Sequence, residues 1–171
     1  MLLKDSGITA SGTNTLSGAT TISAALSNTG GSVTPMIAVA DAASYAVLTA
    51  NSGKIHIIAN VAQDITLTLP TPAAGLYYEF WGSMVAADGH DWIFNTGSDT
   101  NYFMGGLLFA DSDAGPAGAE VLTIAGDGNS NSKCQVNLPS TGTVVKMYCN
   151  GTLWFLNGIV FSTTIPAFAD Q

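Results

Sequence analysis

Residues Gly53 to Gly82, GKIHIIANVAQDITLTLPTPAAGLYYEFWG, decide the fold class. Within them, Asp64 to Pro70 alternates cleanly. Ile65, Leu67 and Leu69 fall on one side, Thr66 and Thr68 on the other, which is the period of a half-buried β-strand. Lys54 to Asn60 alternates more weakly, with Ile55, Ile57 and Ala59 on one face and His56, Ile58 and Asn60 on the other. Pro70 and Pro72 halt the ladder because proline has no N–H to donate. Gly75 supplies a turn, and Leu76 to Trp81 restarts as an aromatic-rich strand. Three strands in so short a span make a sheet with one apolar face. Such a sheet needs a second layer, which the rest of the chain is expected to supply.

Working outward, short apolar runs separated by turn residues continue to the end. Met36 to Val39 and Ser44 to Ala50 precede the central stretch. Ser83 to Ala87, the dipeptide Asp88-Gly89 and His90 to Asn95 read as a hairpin. Tyr102 to Phe109 is a strand interrupted at Gly105-Gly106, where a bulge or sharp bend is expected. Glu120 to Ala125 and Cys134 to Leu138 are further strands, with loops at Ala110 to Gly118 and Gly126 to Ser132. Thr143 to Cys149, Asn150-Gly151 and Thr152 to Leu156 form a second hairpin, and Asn157-Gly158 is read as another turn before Ile159 to Thr163. Trp154 should anchor the core, since it offers the largest apolar area. No amphipathic helix is found.

Residues 1–35 are different. From Asp5 they are mostly Ser, Thr, Gly, Ala and Asn, with single aliphatics such as Ile8, Leu16, Ile22 and Leu26. That spacing fits neither a helix face nor a strand face, and so few apolar groups cannot offset the ordering entropy. The segment is expected to be an extended arm whose aliphatics peg into a partner surface and whose Thr residues add to a sheet edge. The alternative is a disordered leader with no role. The predicted organisation is thus an extended N-terminal arm over 1–35, a β-sandwich over 36–164 and an extended tail over 165–171. The fold class is all-β, a jelly-roll-like antiparallel β-sandwich, with an immunoglobulin-like sandwich second.

Composition narrows the function. The 171 residues are 47% hydrophobic and 9% charged, with four lysines, no arginine and a net charge of -8. Nucleic acid as a partner is excluded by the lack of any basic stripe, and an anionic membrane surface would repel the chain. No apolar run reaches the ~18 residues that would span a bilayer, and MLLKDSGITAS lacks the apolar centre of a signal peptide. A surface of small polar and apolar groups loses little hydration when covered, which suits a protein packed against other subunits.

Candidate chemistry is sparse. Cys134 and Cys149 are too few for a metal site, and Cys149 alternates with Met147 and Val145 as a small buried apolar group. His90 and Asp91 are neighbours that point to opposite faces of a strand, so they cannot pair. No nucleophile-elbow motif is present. His56 is placed toward solvent or a subunit contact. Asp111 to Gly115 begins like a calcium loop but lacks its later ligands, and Asp127 reads as a turn residue. Asn150-Gly-Thr152 matches a glycosylation acceptor, though its turn already explains the asparagine. Glu79 lies among aromatics; a glycosidase would need a second carboxylate facing it, with Asp64 the conceivable partner. Tyr77, Glu79 and Trp81 share one face of their strand, which is expected to be core because large aromatics in strands are mostly buried. The reading is therefore no enzyme, no cofactor and no metal.

Two segments carry a resemblance. Gly53 to Phe80, with its GK-led strand, ITLTLP and PAAGLYYEF, resembles small β-rich structural proteins of tailed bacteriophages. So does GTVVKMYCNGTLWFLNG, Gly142 to Gly158. The likeness covers roughly residues 44 to 82 and 140 to 160. In such proteins, found as head decoration (cement) proteins and as tail or fibre modules, the LP-x-P-x-x-G-x-x-Y-x-F turn joins consecutive strands. The resemblance implies a non-catalytic virion component on the capsid exterior. That component would be a homotrimer that binds the major capsid protein and stabilises the shell, with Ile8, Leu16, Ile22 and Leu26 of the arm as contacts. The alternative it leaves is a tail or fibre module recognising a receptor or carbohydrate through Tyr77, Trp81 or the 96–101 and 110–118 loops. An esterase or glycosidase ranks third.

Overall fold

Strand β4 (Ile65–Thr68) buries Ile65 and Leu67 and leaves Thr66 and Thr68 half-buried, as its alternation requires. The computed structural model describes residues 33–85, 88–113 and 120–171, and residues 34–171 make up one compact unit. Residues 1–32 of the arm, including Ile8, Leu16, Ile22 and Leu26, lie outside the described residues.

In chain order the other strands are β1 (Met36–Ala38), β2 (Ser44–Ala46), β3 (Ile55–Ile58), β5 (Tyr77–Gly82), β6 (Trp92–Asn95), β7 (Phe103–Asp111), β8 (Val121–Asp127), β9 (Lys133–Val136), β10 (Val144–Cys149), β11 (Trp154–Ser162) and β12 (Ala167–Ala169). The helical content of the described residues is a single 3-10 turn at Thr49–Asn51. The strands form a seven-stranded sheet, β1-β3-β5-β10-β11-β7-β8, and a five-stranded sheet, β12-β9-β6-β4-β2.

The chain is all-β, and its two layers are consistent with a sandwich, but the wiring corrects the antiparallel jelly-roll expectation. From β1 to β6 successive strands alternate between the sheets, and each pairs parallel with the strand two places on: β1 with β3, β3 with β5, β2 with β4, β4 with β6. This half is a flattened parallel coil. The central thirty residues do not make one three-stranded sheet; β3 and β5 lie in the larger sheet and β4 in the smaller. Pro70, Pro72 and Gly75 therefore carry the chain from one layer to the other instead of folding it back on itself. The second half returns mostly antiparallel, β5 with β10, β10 with β11, β7 with β8 and β6 with β9, with β7 and β11 again parallel.

Three local expectations fail for related reasons. Asp88-Gly89 makes no hairpin, because β5 and β6 belong to different sheets and Ser83 to Val85 are not in a strand. Asp88 instead turns its carboxylate inward to accept the Val61 N–H at 2.9 Å. Gly105-Gly106 makes no bulge, since β7 pairs with β8 and β11 in unbroken register. A Cβ on Gly105 would run into the Leu156 carbonyl oxygen, and one on Gly106 would lie 2.6 Å from that of Ile124, so close backbone approach explains both glycines. Asn157-Gly158 is no turn but the middle of β11. The β10–β11 hairpin is present, though its loop has four residues: Asn150 N–H reaches Leu153 O, and the Asn150 side-chain oxygen accepts the N–H groups of Thr152 and Leu153.

The core lies between the sheets. Tyr78, Phe80, Val145, Met147, Trp154, Leu156, Leu107 and Val160 come from the larger layer, and Ile65, Leu67, Trp92, Phe94, Cys134 and Val136 from the smaller. Trp154 is fully buried, as expected. Cys134 and Cys149 are free and buried, and burial pushes the Cys134 thiol well above its ordinary pKa. The tail contributes β12, which closes one edge of the smaller sheet against β9.

Candidate interaction surface

The two sheets differ in what they present outward. On the five-stranded sheet the registers align Ala167, Gln135, Ile93, Thr66 and Ser44 in one cross-strand row, and Ala169, Lys133, Asn95, Thr68 and Ala46 in the next. That is the mixed, largely polar face of a layer exposed to water.

The seven-stranded sheet is different. One outward row runs Ala38, Ile57, Trp81, Val144, Ile159, Leu108 and Thr123 across every strand. The next outward row runs Ile55, Glu79, Lys146, Asn157, Gly106 and Ala125, and the one beyond it places Tyr77, Tyr148, Phe155 and Met104 side by side. Of the thirteen large apolar side chains exposed among the described residues, nine point out from this face. Singly exposed apolar groups are ordinary, but a contiguous apolar patch is a contact site.

This corrects the placement of Tyr77 and Trp81 in the core. Tyr78 and Phe80 take the inner side of β5, so Tyr77, Glu79 and Trp81 face out, with Trp81 41% exposed. Both sides of β5 carry aromatics, and alternation alone could not choose between them.

At its centre Glu79, Lys146 and the Trp81 indole pair with one another. Lys146 Nζ lies 3.3 Å from Glu79 Oε1, and Trp81 Nε1–H donates to Glu79 Oε2 at 2.9 Å. The rings of Tyr77 and Tyr148 stack on each other, with centroids 4.4 Å apart and planes 21° apart. A sugar platform presents aromatic ring faces and free hydrogen-bonding groups. Here the two tyrosines spend ring faces on one another, and the indole N–H and both charges are engaged.

The remaining sequence candidates do not converge. Glu79 points out from the larger sheet, whereas Asp64 sits at the start of β4 in the smaller one, accepting the Asp91 N–H at 2.9 Å and lying 3.6 Å from His90 Nδ1. Asp91 braces a loop: Oδ1 accepts the Leu138 N–H at 3.0 Å and Oδ2 the Gln135 side-chain amide at 2.7 Å. Asp111 accepts the Asp113 N–H in a tight turn, and no group of three or more His, Cys, Asp or Glu suited to a metal ion occurs among the described residues. Asp127 caps its turn, accepting the N–H groups of Asn129 and Ser130 and the Ser130 hydroxyl, and these bonds hold its carboxyl down at about 2.

His56 is fully buried, not at a surface. It shares the inner side of β3 with Ile58 and packs against Phe80, Tyr78 and Tyr45. Burial lowers its pKa, and the nearby charge of Lys54 adds to this, while backbone groups at Glu79 and Lys54 work the other way. Neither ring nitrogen reaches a partner in hydrogen-bond geometry.

Sequence reading missed Tyr148, Phe155, Ile159, Phe161 and Leu108 as outward groups. The signal was there: KMYC and WFLNGIVF are apolar at both parities, which marks strands covered on both sides. The chain matches no protein-family model, and no curated protein matches its sequence.

Proposed function

We propose that the chain is a structural subunit of a virus particle, a head decoration (cement) protein of the tailed-phage kind that binds the major capsid shell from outside and stabilises it. The observation that carries this reading is the largely apolar outer face of the seven-stranded sheet, whose central charges, Glu79 and Lys146, pair with each other and whose indole N–H is engaged. Such a face costs little to desolvate, and covering it returns about 25 cal/mol for each Å² of apolar area. Contacts that exist only in the assembled shell lower its free energy relative to loose subunits. In this reading the shell-binding contacts are the arm aliphatics Ile8, Leu16, Ile22 and Leu26. The sequence likeness of residues 44 to 82 and 140 to 160 to such proteins supports it.

The test is co-sedimentation of the full chain with heads lacking it. Saturable binding at a fixed ratio to the shell protein, with heads made more resistant to heat, is the expected result. Free protein left in the supernatant at every concentration overturns it. A tail or fibre module binding carbohydrate is the second reading, favoured by the exposure of Trp81. Quenching or a shift of tryptophan fluorescence on titration with sugars, without head binding, would select it.

A further inference from the structure

We infer that the outer face of the seven-stranded sheet is the seat of a second copy of this chain, packed face to face about a two-fold axis. The inference rests on reading that face as an assembly surface, and it names the occupant.

Charge is the first argument. The chain carries a net charge of -8, so two copies repel wherever their surfaces are acidic. The outer rows of the larger sheet hold Glu79 and Lys146 in mutual contact at 3.3 Å, with Asp127 only at the β8 margin. Its middle is therefore neutral, and like-charged copies can approach there without bringing net charge together.

The position of that pair is the second argument. In the order β1-β3-β5-β10-β11-β7-β8, Glu79 lies on the third strand and Lys146 on the fourth, the middle of the sheet. A two-fold axis lying in the interface along the strand direction, midway between β5 and β10, brings each Glu79–Lys146 pair over its counterpart, so each lysine meets a glutamate of the other copy. Away from this centre the groups meeting are Trp81, Val144, Ile159 and Leu108 on one row and Tyr148 and Phe155 on the other, which are flat or branched apolar groups that suit the ~10 Å spacing of packed sheets.

Area is the third. Seven strands at ~4.8 Å spacing, and rows two residues apart along them, give a face of roughly 600 Å² in projection and more in accessible surface. A standard interface buries about 800 Å² on each partner. A self-complementary patch of this kind closes on itself as a dimer, so the pairing is two-fold and not the three-fold arrangement that the sequence resemblance implies.

The purified full chain is to be measured by sedimentation equilibrium, alone. The expected result is a dimer that tightens when ionic strength rises from about 0.05 M to about 0.5 M, because salt screens the repulsion between acidic copies while the apolar contact stays. Trp81→Lys and Ile159→Lys, both on the surface, are expected to weaken the dimer at least tenfold without lowering the unfolding midpoint of the monomer. Thr66→Lys on the outer face of the smaller sheet should leave it unchanged. A monomer at all concentrations overturns the inference, as does an oligomer that survives Trp81→Lys or dissociates with added salt. A solitary protein that still binds heads would sink this pairing and leave the decoration reading standing. A dimer that ignores heads would do the reverse.

Discussion

The imidazole of His56 lies 4.9 Å from the ring of Phe80, tilted by 31°, with neither nitrogen hydrogen-bonded. The folded chain resists protonation there, because burial among aromatic rings penalises the charge more than the backbone groups at Glu79 and Lys54 favour it. The unfolded chain takes up the proton near pH 6.5. Stability is therefore full above that value and falls as pH drops from about 6.5 toward the lowered folded pKa. Urea unfolding at steps between neutral and mildly acidic pH should show this slope. In His56→Phe the His56 share of the slope should vanish, and stability at neutral pH should rise by about 1 kcal/mol as two orphaned nitrogens are removed. A slope unchanged in the variant would show that another group sets it.

Gly105 and Gly75 separate backbone conformation from close approach. Both have positive φ, +101° and +88°. At Gly75 an added Cβ meets nothing within 4 Å, whereas at Gly105 it runs into the Leu156 carbonyl oxygen. Gly75→Ala is expected to cost about 1–2 kcal/mol. Gly105→Ala should cost about 3 kcal/mol or more, because it also forces β7 and β11 apart. Denaturant midpoints of the two variants decide it, and equal losses would mean that the sheet yields at this point.

Asp91 holds Leu138 in a left-handed conformation, φ 43°, through the Leu138 N–H, and holds Gln135 through its other oxygen. Removing the carboxylate leaves both donors without it. Asp91→Ala is expected to lower stability by about 2 kcal/mol, while His90→Ala, one residue away and half-exposed, should cost under about 0.5 kcal/mol. Thermal unfolding of the pair measures the difference.

Asp127 gives a second, lower pH window. Its pKa is depressed to about 2 by the N–H and hydroxyl groups it accepts. The turn it caps is held fully above the ordinary carboxyl value and released as pH falls toward 2. Protection factors of the Asn129 and Ser130 amides, taken against the intrinsic exchange rate at each pH, should fall over that range and already be low at neutral pH in Asp127→Ala. Unchanged protection would show that the Asn131 side chain, which accepts the Asp127 N–H at 3.0 Å, is enough.

What the sequence made legible was composition of layers; what it hid was their wiring. The alternation in Ile65 to Leu69 and the aromatic run at Tyr77 to Trp81 are local, and they name strands directly. Pro70 to Gly75 is also readable as a break. A chain that turns back beside itself and one that crosses between layers use the same residues, however, so the parallel coil could not be seen. At β3 isoleucine occurs at both parities, and only β5 and β2, packed on the inner side, decide that His56 points in. Glycines at 105, 106 and 158 read as bends in the sequence because the carbonyls that crowd them come from other strands. The apolar face is hard to read for a related reason: two-sided strands announce burial on both sides, but among the described residues only their inner side is covered.

The order of strands across the larger sheet has a bearing on synthesis. β10 and β11 occupy its middle, between β5 and β7, yet they come late in the chain; Lys146 and Glu79, side by side on the surface, are 67 residues apart in sequence. A nascent chain can wind β1 to β6 from near neighbours, leaving β7 and β8 apart from that coil. Until the last hairpin slots in, the sticky plane has a gap down its centre and offers no continuous landing site. The seat of the inferred pairing is thus complete only once this hairpin is in place, because Val144, Lys146, Tyr148, Phe155 and Ile159 all arrive with it.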